Sequence, residues 1–363
     1  MKEKSAVSWV KSSVAQKNLY TLPERNWKIK LNQNENPYPV PEEIRRRVAD
    51  ELIRRQWNRY PDLGTNELRK QLASWLNVSP DNVLVGNGSN EILLAVLMST
   101  VSEKTGVLLV EPTFSLYHHY IEILGGKVVN LLLERSNFSF PVAQIIERLQ
   151  QGDIRLAIFC SPNNPTGSRL PAEDLKQILE KTDALVLVDE AYADFCDQDF
   201  SFLLAEHPNL ILTRTFSKAF AFAFGRFGYA LADAALAREI RKVLLPYNVS
   251  GFTEVAAQIL LEYRAHIRAV IGSICHERDR LWKELQNVPG IRVYPSAANF
   301  LLVKSEMGAG KLFELLLAQG ILVRDVSGYP LLADHLRITV GTPEENDALL
   351  KTIREAAATF REG

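Results

Sequence analysis

A chain of 363 residues is too long for one simple domain and too short for a multi-module assembly, which favours two domains or one large α/β unit with an appendage. Hydrophobic residues make up 47% and charged residues 23%, enough apolar material for a sizeable core, so disorder as the main state is excluded. The 42 basic and 43 acidic residues leave a formal net charge of −1, which argues against a dedicated surface for nucleic acid or for an anionic membrane.

The opening residues, MKEKSAVSWVKSSVAQKN, lack the continuous apolar core of a signal peptide. Helical patterns follow over 41–57 and 64–76. From there strand-like runs alternate with helical ones: strands are expected at 82–85, 106–110, 127–132, 155–159, 184–188, 210–213 and 228–231, with helices such as 91–100 and 172–180 between them. That alternation implies βαβ units and a largely parallel sheet, and fully apolar runs such as ALVLV suit strands covered on both faces. The longest apolar run, near 92–98, is far short of the ~20 residues of a membrane span. Pro246 breaks the pattern, and one long helical stretch is expected from about 253 to 285. Short strands at 291–293, 300–303, 321–323 and 336–340 and a closing helix over 344–360 complete a smaller α+β unit. The fold class is therefore α/β, with residues 1–57 as an N-terminal arm and part of the small domain, 58–248 as the large domain and 249–363 as the C-terminal small domain. A cleft between the two is the expected ligand site. Cys160, Cys196 and Cys275 are odd in number and widely spaced, so neither a disulfide framework nor a zinc site is expected, and a cytoplasmic protein is.

Four segments concentrate chemistry. VLVDEAYADF places Asp189 at the end of an apolar strand, with Tyr192 three residues later, aimed where ligands of open parallel sheets bind. ILTRTFSKAFAFAFGRFGYALA gathers Thr215, Ser217, Lys218 and Arg226. A lysine in apolar surroundings has its amine pKa depressed by desolvation, which suits a Schiff-base nucleophile, while hydroxyls and an arginine suit a phosphate. LVGNGSNEILLAVL opens a helix after Gly86, Gly88, Ser89 and Asn90, an anion cradle of backbone N–H groups. CSPNNPTG, residues 160–167, presents Asn163 and Asn164 after another strand. Taken singly, each has an ordinary structural explanation: Asp189 as a helix cap, Lys218 and Arg226 as solvated charges, the GxG as a plain capped turn. Each follows a strand, so in a parallel sheet all four converge on one edge, and together they match the needs of pyridoxal 5′-phosphate. His118 and His119 have no metal-ligand spacing and are taken as helix-surface or core residues.

SPNNPTG, VDEAY and TFSKAF…R resemble the fold-type I pyridoxal-phosphate aminotransferases of class I/II. LNQNENPYP, NRYPD, GNGSNE, PYNVS, VRD and LRITVGTPEEN narrow the resemblance to the histidinol-phosphate aminotransferases, over nearly the whole chain. The resemblance implies a large domain with a mostly parallel sheet that binds the cofactor, a smaller α+β domain, and a ping-pong transfer between L-histidinol phosphate and 2-oxoglutarate. It implies that Lys218 joins the cofactor aldehyde and shuttles a proton, and that Asp189 pairs with the ring nitrogen. Tyr192 and Asn164 would bond the ring 3′-oxygen, and Phe114 would lie over the ring. Gly88, Ser89, Asn90, Thr215, Ser217 and Arg226 would surround the phosphate, joined by Tyr60 of a neighbouring subunit in a homodimer. Arg337 would grip the substrate's anionic group, with Arg324 and Tyr20 adding contacts to its phosphate.

Two departures stand out. The spacer between Lys218 and Arg226 is AFAFAFG where relatives carry more glycine and leucine, and Phe114 stands where they often place tyrosine. The rival functions are an aromatic amino-acid aminotransferase, a threonine-phosphate decarboxylase of the same fold, and a non-catalytic regulatory module on that fold.

Overall fold

The computed structural model of the chain describes residues 6–19, 21, 24–196 and 198–362. A short helix, α1 (Ser12–Ala15), and a short strand, β1 (Ile29–Lys30), precede α2 (Glu42–Arg54) and α3 (Asn66–Leu76). Glu42 and Glu43 occupy the first turn of α2, where the helix dipole favours acid, and the helix stops at Arg54 and does not reach 57. α3 begins at Asn66, later than its pattern suggests, because the Asp62 carboxylate accepts the backbone N–H of Asn66 at 2.7 Å and that of Gly64 at 3.3 Å.

The middle of the chain builds one seven-stranded sheet. In chain order it runs β2 (Val83–Gly86), α4 (Ser89–Thr100), β3 (Gly106–Glu111), α5 (Leu116–Ile123), β4 (Lys127–Leu132), α6 (Val142–Gln150), β5 (Ile154–Cys160), α7 (Ala172–Glu180), β6 (Leu185–Asp189), β7 (Leu210–Thr215), β8 (Gly228–Ala232) and α8 (Ala234–Arg241). The strand order is β2-β8-β7-β6-β5-β3-β4. Every neighbouring pair is parallel except those of β8, which runs antiparallel to both β2 and β7. Apolar residues along each central strand alternate between two cores. Val110, Phe159, Val188 and Leu212 face one, and Leu109, Ile158, Leu187 and Ile211 face the other. Burial on both faces explains why these runs are continuously hydrophobic. The edge strand β4 has only partly buried and exposed residues.

The rest of the chain is α9 (Gly251–Glu262), α10 (Arg264–Gln286), β9 (Ile291–Val293), β10 (Phe300–Ser305), α11 (Ala309–Ala318), β11 (Ile321–Leu322), β12 (Arg324–Asp325), β13 (His335–Thr339) and α12 (Pro343–Glu362). A four-stranded antiparallel sheet runs β12-β13-β10-β9. β1 pairs in parallel with β11, so the N-terminal segment is tied to the C-terminal part as expected.

Two expectations are corrected. The single helix over 253–285 is two helices that meet at Tyr263, whose φ of −95° and ψ of 21° leave the helical range. Neither Gly nor Pro marks the break. It is held by tertiary contacts: the Arg47 guanidinium lies 5.7 Å from the Tyr263 ring centre and its Nη2 is 2.5 Å from Glu262 Oε2, while Arg264 donates to the Leu261 carbonyl. The strand expected at 321–323 ends at Leu322, and a separate strand not expected, β12, follows it, because β11 pairs with β1 whereas β12 pairs with β13.

Candidate active site

The C-terminal ends of β5, β6 and β7 lie side by side, with Cys160 opposite Asp189 and Asp189 opposite Thr213. A cavity of about 380 Å³ opens at this edge. Its floor comes from the large sheet and its other walls from residues 32–34 and from Arg324, Val326, Tyr329 and Arg337. The four segments singled out by sequence therefore meet, as parallel topology requires.

Lys218 follows β7, and its Nζ donates to the Gln33 carbonyl at 2.8 Å. Burial pulls the amine down from an ordinary 10.5 to about 8; the Arg337 charge adds to this, Glu35 opposes it and Arg226 adds further repulsion. Reductive methylation of Lys218 in the cofactor-free chain is therefore expected to rise with pH to half its maximum near 8, because the neutral amine is the reactive form. Arg337→Leu should move that midpoint upward. A midpoint that stays beyond 10, as for a solvated lysine, would contradict the assignment.

Asp189 is buried at the end of β6. Its Oδ1 accepts the Ala191 N–H at 3.1 Å and its Oδ2 accepts the Tyr117 hydroxyl at 2.6 Å. Tyr192 is buried, its hydroxyl accepts from Asn34 Nδ2 at 2.9 Å, and burial pushes the phenol well up while Arg337 pulls it down. The two asparagines of the SPNNPTG turn divide their tasks. Asn163 is turned away, donating to the Pro112 carbonyl at 2.8 Å and to Thr166 Oγ1 at 2.7 Å, which ties this turn to the one after β3. Asn164 lines the cavity, and its Oδ1 accepts from Arg337 Nη1 at 2.6 Å, so what it offers a ligand is its Nδ2 donor. Phe114 lines the cavity from the segment just before α5.

At the other end the first residues of α4, Ser89 and Asn90, face the cavity with Thr215, Ser217 and Arg226. Arg226 Nη1 donates to Ser217 Oγ at 3.2 Å. Its backbone φ is +52°, a conformation that costs energy outside glycine and persists only where the surroundings impose it. Gly88 is no wall of the cavity, but a Cβ there would lie 2.7 Å from Arg226 Nη2, so only glycine lets the guanidinium settle over this turn. A Cβ on Gly228 would lie 2.2 Å from the Ser89 nitrogen, which explains the glycine opening β8. The phenylalanine-rich spacer folds inward. Phe216 stacks on Phe220 with ring centres 3.9 Å apart and meets Phe227 edge-on at 4.8 Å, whereas Phe224 is fully exposed.

Arg337, on β13, sends Nη1 to Asn164 and Nη2 to the Asn32 carbonyl at 2.7 Å, and its guanidinium lies 5.4 Å from the Phe300 ring centre. Arg324 lines the same side. Tyr60 is not brought to this cavity. It is exposed and stacked on Tyr247 with ring centres 4.6 Å apart. Tyr20 lies outside the described residues. His118 Nε2 sits 2.6 Å from Glu111 Oε1, and among the described residues no three His, Cys, Asp or Glu side chains gather as a metal site. No helix among them is long and apolar enough to cross a membrane.

Sequence reasoning gave no role to Asn32, Gln33, Asn34, Tyr117 or Asn248. The first three act through main-chain carbonyls or through a neighbour's hydroxyl. Asn248, within PYNVS, donates to the Val85 carbonyl at 3.1 Å and to Glu91 Oε2 at 2.8 Å, which anchors the start of α4.

The profile of the family described as "Aminotransferase class I and II" matches residues 26–353. A protein of Chlorobium limicola named histidinol-phosphate aminotransferase is 38% identical over 327 residues, covering 90% of this chain and 92% of that one. One of the same name from Ruminiclostridium cellulolyticum is 35% identical over 334 residues, covering 91% and 93%. The solved structure of the Sinorhizobium meliloti histidinol-phosphate aminotransferase, in complex with pyridoxal 5′-phosphate, superposes with a TM-score of 0.87 at 24% identity, covering 98% of this chain and 99% of that one. By profile, by identity over nine-tenths of its length and by fold, this chain belongs to the class I and II aminotransferases.

Proposed function

We propose that the chain transfers an amino group between L-histidinol phosphate and 2-oxoglutarate. The observation that carries this reading is a lysine amine, lowered to about 8, set between an arginine-hydroxyl cluster at one end of the cavity and Arg337 and Arg324 at the other. The first cluster fits pyridoxal 5′-phosphate. Three hydroxyls, an amide, a helix start and a guanidinium laid over a glycine turn form a donor set suited to a phosphate dianion. When bound, the cofactor supplies a carbonyl that takes up the amino group and a ring that holds the electron pair left at Cα.

Ser89, Asn90, Thr215, Ser217 and Arg226 would hold the phosphate, Asp189 the ring nitrogen, Tyr192 and Asn164 the 3′-oxygen, and Phe114 one ring face. Lys218 Nζ takes the Cα proton of the donor, and an amine pKa near the working pH lets the same group accept and return it. The Arg337 fork holds either the carboxylate of glutamate or the phosphate of the alcohol donor, which orients Cα–H toward the lysine. Arg324 adds a second cation for the phosphate. A half-reaction screen tests the substrate. L-histidinol phosphate should convert faster than phenylalanine or tyrosine, and threonine phosphate should release no carbon dioxide. Faster aromatic donors, or carbon dioxide without transamination, would overturn the substrate assignment.

The active unit proposed is a homodimer in which Tyr60 reaches the partner's cofactor phosphate. Trp57 packs on Phe252 and Tyr60 on Tyr247. These rings and the fully exposed Phe224 leave aromatic surface open to solvent, and such patches mark interfaces. Mixing Lys218→Ala with Tyr60→Ala protein at limiting cofactor should restore activity to about a quarter of wild type, since random pairing makes half the dimers hybrid with one intact site each. No recovery above the two single variants would refute a shared site.

A further inference from the structure

Tyr117 stands out as a buried polar side chain not yet given a task. It is fully buried in the first turn of α5, and its backbone N–H donates to the carbonyl of Phe114, which lines the cavity just before that helix. Its hydroxyl points at the sheet edge and donates to Asp189 Oδ2 at 2.6 Å, a short contact typical of a charge-assisted bond. Its ring meets Phe114 edge-on, with centres 5.5 Å apart. One residue thus touches both the carboxylate assigned to the ring nitrogen and the aromatic assigned to the ring face.

Burial pushes the Asp189 carboxyl up, toward the neutral form that cannot pair with a protonated ring nitrogen; the Tyr117 hydroxyl, the Ala191 N–H and Thr213 oppose this. Tyr117 has the largest effect of those opposing groups, and it and Ala191 bond different carboxylate oxygens. The neighbouring Cys160 thiol, itself driven up by burial, brings no compensating positive charge. The hydroxyl therefore favours the ionised carboxylate, against the effect of burial, and fixes one of its oxygens.

We infer that Tyr117 is a positioning residue that holds Asp189 ready for a protonated ring nitrogen. This rests on the assignment of Asp189 to that nitrogen, so the experiment separates the two. Dissociation constants for pyridoxal 5′-phosphate and for its 1-deaza analogue, which has carbon in place of the ring nitrogen, are measured by fluorescence titration of the full-length chain, for wild type, Tyr117→Phe, Asp189→Asn and the double variant. Tyr117→Phe should weaken pyridoxal 5′-phosphate about tenfold, the value of one hydrogen bond to a charged group, and leave the analogue within about twofold. In the Asp189→Asn background it should add nothing. Equal loss for both cofactors, or no loss for either, would overturn the inference and leave Tyr117 a packing residue. If Asp189→Asn itself fails to distinguish the cofactors, the assignment of Asp189 falls first. Should Tyr117→Phe fold poorly, Tyr117→His, which keeps a donor on the ring, must retain discrimination between the cofactors where Tyr117→Leu loses it; the reverse order would also overturn the inference.

Discussion

Lys218→Ala should lower turnover of the complete cycle by ~10⁴-fold or more, because one side chain serves both as nucleophile and as proton carrier. The protein should still retain pyridoxal phosphate through gel filtration, since Ser89, Thr215, Ser217 and Arg226 are untouched. Small primary amines should restore part of the rate by entering the space beside the Gln33 carbonyl, to which Nζ normally donates. Glutamate formation and cofactor absorbance after filtration check both statements. Activity within tenfold of wild type would remove Lys218 from the mechanism.

The second large effect is expected at Arg337. Substitution by leucine should cut kcat/KM by ~10²–10³-fold for both histidinol phosphate and 2-oxoglutarate, the usual cost of breaking a buried charged contact. Part of the loss arises in the protein, because Asn164 Oδ1 and the Asn32 carbonyl are left without their donor. Arg337→Lys should lose about tenfold less, keeping the charge but not the fork. Arg324→Gln should impair the phosphate-bearing donor and spare glutamate. If Arg337→Leu affected only one of the two half-reactions, the shared grip would be wrong.

The large sheet could be read from sequence because its signal is local. Runs such as 185–188 and 210–212 are apolar on both faces, and two covering cores demand that pattern. Lys218, Asp189 and Tyr192 were visible for a related reason: each lies at or just after the end of a strand, and parallel topology converts that order into proximity, while Arg226 stood out through its spacing from Lys218. What stayed hidden depends on distant partners. The hydroxyl of Tyr117 has meaning only through Asp189, 72 residues away, and nothing around Tyr117 signals this. Gln33 contributes a carbonyl, which any residue could supply, so its identity carries no trace of the contact with Lys218. The break at Tyr263 comes from Arg47 and Glu262 in a stretch with no helix breaker, and the separation of β11 from β12 at Val323 depends on which neighbour each strand meets.

Residue 32 and residue 337 are joined through the Arg337 guanidinium, 305 positions apart, and β1 depends on β11 in the same way. A ribosome adding ~5–20 residues per second needs on the order of tens of seconds to deliver the second partner after the first. Throughout that interval the central sheet can form while the wall at Asn32 and Gln33 has nothing to lean on. Until β13 emerges, the Arg337 guanidinium cannot reach the Asn32 carbonyl, and the cavity lacks the wall that this contact fixes.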